Sequence, residues 1–133
     1  MTERELLKTL KATDPAARNA AAIALADLGS HRGVAAIKGL LRDSVTAGAR
    51  GSLLYALREA NAKLELGELV GLMLTDAPEA REEAFSFLED GLVERASEAE
   101  YQQAVDRLRR ASNEGQDEDV RAIARDALDL LAG

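Results

Sequence analysis

At 133 residues and 47% hydrophobic content, the chain has the length of one domain and enough apolar surface to build a core of its own. It has no cysteine, which excludes disulfides, thiolate metal sites and cysteine nucleophiles and suits a reducing compartment. The net charge of −7 is unevenly placed: residues 1–66 carry ten Lys and Arg against seven Asp and Glu, and residues 67–133 carry seven against seventeen, so the second half repels a nucleic-acid backbone.

Alanine (26) and leucine (21) dominate, and the aromatics are only Tyr55, Phe85, Phe87 and Tyr101, a palette that favours close helix-on-helix packing and predicts an all-α protein. No apolar run reaches the ~18 residues that would span a bilayer, and Met-Thr-Glu-Arg-Glu lacks the basic flank and apolar stretch of a secretory signal. The expectation is a cytoplasmic protein with no membrane partner.

In chain order, periodicity and capping signals predict eight helices, over 2–12, 14–29, 31–43, 46–62, 65–75, 78–91, 97–112 and 117–132. The first opens on Thr2 with Glu5 at the spacing of a reciprocal capping box. Asp14 followed by Pro15 marks the second, which ends at Leu28-Gly29-Ser30. The third carries the stripe Val34, Ile37, Leu40 and Leu41. Ahead of the fourth, Asp43 is separated from Arg50 by a longer stretch, and Gly48 and Gly51 flank that arginine, so a bend or loose helix start is expected there. The fifth presents Leu66, Leu69, Val70 and Met73, with Gly67 and Gly71 suited to a close helix approach. Asp76 and Pro78 begin the sixth. Ser97 and Glu100 form a second capping-box signal for the seventh, whose stripe is Tyr101, Ala104, Val105 and Leu108. Asp117 begins the eighth.

A repeat underlies this order. Arg18, Arg50, Arg81 and Arg121 each precede a leucine by seven residues: Leu25, Leu57, Leu88 and Leu128. Around the helix, the third, fourth, sixth and seventh residues after each arginine fall on one side. All sixteen such positions are apolar except Arg125, which lies in the last unit, where a terminal cap should be polar. Units of helix, tight turn and helix that bury one face against the next build a solenoid and leave no central pocket.

Chemistry is hard to place. His31, the sole histidine, sits at a helix start and is expected to be exposed and idle; serines 44, 52, 86, 97 and 112 have no Gly-x-Ser-x-Gly setting. Asp117-Glu118-Asp119 lacks the glycine and terminal glutamate of a calcium loop, and no phosphate-binding glycine pattern occurs. The carboxylates of 76–100 are too many for any pair to stand out, and a solvated face gives them one shared environment. No catalytic, cofactor or metal residue is therefore predicted, and no cofactor.

The run Asp14-Pro-Ala-Ala-Arg18-Asn-Ala-Ala-Ala-Ile-Ala-Leu25-Ala-Asp-Leu28-Gly29, echoed by Asp117-Glu-Asp-Val-Arg121 with Ala124, Ala127 and Leu128, resembles the first helix of short bacterial HEAT-like repeats. The resemblance covers most of the chain, read as a single repeat domain over 1–133. It implies a right-handed α–α superhelix of four antiparallel helix pairs, arginine helices on the convex side and second helices lining a concave one. It also implies a ladder of Asp14, Asp43, Asp76 and Asp117 with Arg18, Arg50, Arg81 and Arg121. Arginine spacings of 32, 31 and 40 fall at or below the roughly 40–47 residues of such units, with an insertion near 89–100.

The function this architecture suggests is non-enzymatic binding of another protein through the concave face, by outward positions of the second helices: Lys38, Arg42, Glu68, Leu72, Gln103, Arg107 and Arg110, with the arginines as anchors. An alternative is an acidic inhibitor or immunity protein that occludes a basic toxin or nuclease with the patch Glu79, Glu82, Glu83 and Glu89. A further alternative, a lyase or DNA-glycosylase-like enzyme or subunit, is implied by relatives of the HEAT-like fold; the acidic charge and the lack of tryptophan weigh against the glycosylase. The partner is expected to be a protein of basic character, not nucleic acid, and the chain a monomer.

Overall fold

A computed structural model describes residues 1–133 and divides them into two compact units, Met1–Ala62 and Lys63–Gly133. The chain is all-α, with eight helices and one short 3-10 turn.

The first unit holds α1 (Glu3–Thr9), α2 (Pro15–Asp27), α3 (His31–Arg42) and α4 (Gly51–Glu59). Thr2 and Glu5 close the expected capping box on α1. The Asp14 carboxylate accepts from the Ala16 N–H at 3.3 Å, and Pro15, whose missing N–H costs nothing at a first helical position, opens α2. Ser30 does two jobs at the start of α3: its hydroxyl accepts from the Gly33 N–H at 2.9 Å and donates to the Glu3 carboxylate at 2.8 Å, which ties α1 to α3. α2 packs on α1, α3 and α4, and the seam between these helices closes over Leu6, Leu10, Ala22, Leu25, Ile37, Leu53 and Leu57. α2 and α3 approach closely because residue 33 has no side chain; a Cβ there would stand 2.8 Å from Cβ of Leu25.

The fourth helix begins at Gly51, five residues later than the sequence suggests. Asp43 accepts from the Val45 N–H at 3.0 Å and starts a 3-10 turn, Ser44–Thr46, instead of a helix. Gly48 then takes φ +79°, a left-handed conformation that glycine adopts without strain, and redirects the chain into α4.

The second unit holds α5 (Leu66–Thr75), α6 (Pro78–Glu89), α7 (Glu98–Glu114) and α8 (Glu118–Ala132). α5 packs on α6, α7 and α8, and α8 also packs on α6 and α7. Leu66, Leu69, Val70, Met73, Phe87, Val105 and Leu108 fill this core. The insertion near 89–100 is pinned by a single parallel β-bridge: the Leu64 N–H donates to the Leu92 carbonyl at 3.2 Å and the Glu94 N–H to the Leu64 carbonyl at 2.9 Å, with Leu64 itself fully buried. The Ser97–Glu100 capping box forms as expected. Ala77 rather than Asp76 is the N-cap residue of α6, although the Asp76 carboxylate accepts from the Ala77 N–H at 2.7 Å.

Gly67 and Gly71 do not create a close helix approach. A Cβ at Gly67 would meet nothing within 4 Å, and one at Gly71 would find the Arg107 guanidinium at 3.7 Å, ordinary contact.

Candidate functional site

The four repeat arginines reach different partners. Arg81 on α6 forms the expected rung with the aspartate that caps the next arginine helix, its Nη1 lying 3.7 Å from the Asp117 carboxylate. Arg50 turns back to the end of the preceding helix, donating from Nη2 to the Asp43 carbonyl at 3.0 Å and from Nε to the Thr46 hydroxyl at 3.2 Å. Arg121 does the same at the end of α7, donating to the Gly115 carbonyl, and also pairs with Glu118. A carbonyl past the last helical turn has no intrahelical partner, so a guanidinium supplied from the next helix satisfies it. The sequence shows the arginines' spacing but not this use of them, because the carbonyl they reach belongs to whichever residue ends the preceding helix.

Arg18 departs from the ladder. It is 4% exposed, its Nε has no hydrogen-bond partner, and no carboxylate lies within ion-pair distance. Asp43, the expected rung partner, lines the same pocket without pairing with Arg18; one of its carboxylate oxygens accepts from the Val45 N–H.

On the second helices, Arg42 is exposed and Lys38 half-buried on one face of α3. Gln103, Arg107 and Arg110 are all exposed and fall on one face of α7. Arg107 and Arg110 line a shallow depression of ≈ 350 Å³ together with Leu74, Thr75, Ala111 and Glu114. Glu68 on α5 is half-buried. Leu72 is not a surface residue: at 8% exposure it belongs to the core of the second unit, since the α5 stripe is wider than the sequence suggests once α6, α7 and α8 all pack against it.

Of the acidic residues, Glu79, Glu82 and Glu89 are exposed on α6 and Glu83 is half-buried. Packing of α8 beside α6 brings Asp119 and Asp126 to the same ≈ 230 Å³ depression as Glu82, with Phe85 and Ile123 in its wall. Those two α8 aspartates are missed by sequence reasoning, which treats the acidic segment as one helix; the repeat register that stacks α6 on α8 is the signal that could have found them. Glu118 is held below the usual carboxylate range, first by the hydrogen bond from Arg121 and then by the one from Arg125. Glu5 is likewise lowered, chiefly by the N–H of Thr2.

No group of three or more His, Asp and Glu side chains is placed to hold a metal ion, and no helix is long and apolar enough to cross a membrane. His31 is exposed at the first position of α3. No protein-family model matches the chain, and no curated protein matches it in sequence.

Proposed function

We propose that this chain is a cytoplasmic, monomeric, non-enzymatic HEAT-like repeat module that binds another protein through the outward faces of its second helices. The HEAT-like reading is supported by the packing of arginine helix on arginine helix, α2 on α4 and α6 on α8, and by the Arg81–Asp117 rung. The observation that carries the binding reading is the depression on α7. Two exposed arginines stand over a small floor contributed by Leu74 and Ala111, and a desolvated apolar centre beside arginine anchors is the composition that concentrates binding energy in protein interfaces.

The test is quantitative capture from the source organism with the native chain and with an Arg107→Glu, Arg110→Glu variant. A protein enriched by the native chain and lost with the variant supports the reading, with about 1 kcal/mol or more of affinity lost per anchor. Equal recovery with both chains refutes it.

The acidic-inhibitor reading is favoured by a separate observation, the convergence of Glu82 with Asp119 and Asp126. It requires association that slows steeply with added salt and that a Glu82→Lys, Glu83→Lys, Glu89→Lys variant abolishes. A salt-insensitive association rate would exclude it.

A further inference from the structure

We propose that the pocket over Arg18 binds a carboxylate monoanion carried on a small aliphatic body. The pocket lies within the first unit, measures ≈ 400 Å³ and is walled by Leu10, Pro15, Leu40 and Val45, with Lys11, Arg18 and Asp43 supplying its charges.

Three observations converge on this ligand. The first is the arginine itself. A guanidinium cannot shed its proton to escape burial, and a buried cation is stable only where an anion or hydrogen-bond acceptors meet it. The Nε atoms of Arg18 and Arg81 are both buried without a hydrogen-bond partner, but Arg81, at the same distance behind a helix-opening proline, has the Asp117 carboxylate beside its Nη1, whereas Arg18, 4% exposed, has no carboxylate within ion-pair distance. The missing counter-charge is supplied from solution.

The second is charge. Arg18 and Lys11 against Asp43 leave the pocket with one net positive charge, which one carboxylate neutralises, whereas a dianionic phosphate would be set against Asp43. The planar guanidinium fork also matches a carboxylate in bidentate geometry.

The third is the wall. The aliphatic lining rewards a hydrocarbon body, and the volume falls in the range of small-molecule pockets. The depression beside Arg81 is the internal contrast: there Asp117 already holds the guanidinium and Glu82, Asp119 and Asp126 repel an anion.

Two sources carry this chemistry, a free aliphatic acid and the C-terminal carboxylate of a peptide ending in leucine. Both are tested by amide and guanidinium NMR titration of the full chain with hexanoate, hexanamide, inorganic phosphate, and a leucine-terminated peptide in free-acid and amidated forms. Hexanoate should move the amides of Lys11, Thr13 and Asp43 and the Arg18 Nε–H saturably, and hexanamide should not. The free-acid peptide acting at the same residues more tightly than hexanoate assigns the site to a chain terminus; tighter hexanoate assigns it to a free acid.

Arg18→Gln should weaken hexanoate binding about tenfold or more. Asp43→Asn, which keeps the oxygen that caps the 3-10 turn but removes the opposing charge, should tighten it about threefold or more. If Arg18→Gln fails to fold by circular dichroism, Asp43→Asn and a weakening Lys11→Ala carry the test. Equal response to hexanamide, phosphate binding at the same residues, unchanged affinity in the folded variants, or no saturable shift would each overturn the proposal.

Discussion

Arg18 and Arg81 hold the same place in their helices, three residues after a proline that opens α2 or α6, yet only Arg81 is matched by the next aspartate. The cause lies downstream, in the spacing between that aspartate and the next repeat arginine. Asp117 stands four residues before Arg121 and caps α8 directly, so its carboxylate stays at the helix junction facing α6. Asp43 caps in the same way, through the Val45 N–H, but it stands seven residues before Arg50, and the added residues form a 3-10 turn between it and α4, so its carboxylate is held at the turn rather than at a junction between arginine helices. A change in loop length thus turns a ladder cation into a buried, unmatched one without altering the arginine or its helix.

The largest effect separating the two units should come from the leucines in their seams. Leu25 and Leu57 are fully buried, whereas their register equivalents Leu88 and Leu128 are half-buried. Leu25→Ala or Leu57→Ala should lower unfolding stability by about 2–5 kcal/mol, and Leu88→Ala or Leu128→Ala by clearly less, as urea denaturation would measure. Equal losses would mean that the seam is uniform and the contrast false.

Next in size is the pair of arginines. Replacing an uncompensated buried cation by an apolar side chain of similar length removes its desolvation cost, so Arg18→Met should raise stability by about 1–4 kcal/mol. Arg81→Met removes an ion pair whose aspartate is more than half exposed, and should lower stability by about 1 kcal/mol or less. Both are read from denaturant midpoints; a destabilised Arg18→Met would show that this guanidinium has partners in solution.

The features legible in the sequence are those set by local, periodic rules. Seven-residue spacing and capping signals foretell eight helices, with only the fourth starting well away from its expected place, together with the two capping boxes and the polar break at Arg125, whose side chain is 53% exposed. The misplaced residues depend on which elements pack together. Leu72 reads as an outward position on an isolated helix but is buried once three helices surround α5. Asp119 and Asp126 join the acidic depression only through α8 beside α6. Arg18's lack of a partner depends on a turn whose type the sequence signalled only as a glycine-flanked bend.

Within α3, two glycines probe how closely the helices of the first unit pack. Gly33→Ala drives a Cβ to 2.8 Å from Cβ of Leu25 and should lower stability by about 1–3 kcal/mol. Gly39→Ala meets nothing within 4 Å and should raise stability by about 0.4–1 kcal/mol, by restricting the unfolded chain. Thermal melts of the two variants moving in the same direction would contradict a close contact of α2 and α3 at residue 33.

The smallest effect compares two exposed glutamates near helix starts. Both carboxyls lie below the usual range, Glu5 through the Thr2 N–H and hydroxyl, Glu118 through the guanidinium groups of Arg121 and Arg125. A depressed folded-state value means that each carboxylate adds stability above its unfolded pKa, and loses that contribution as pH falls from the ordinary carboxylate range through the lowered value. Salt separates the two causes. In about 1 M sodium chloride the exposed ion pairs are screened, so the Glu118 carboxyl should return toward an ordinary glutamate, while the hydrogen bonds that hold Glu5 leave it nearly unmoved. Side-chain carboxyl NMR titrations at low and high salt measure this directly, and equal salt shifts at both residues would mean that charge, rather than capping geometry, sets the Glu5 value.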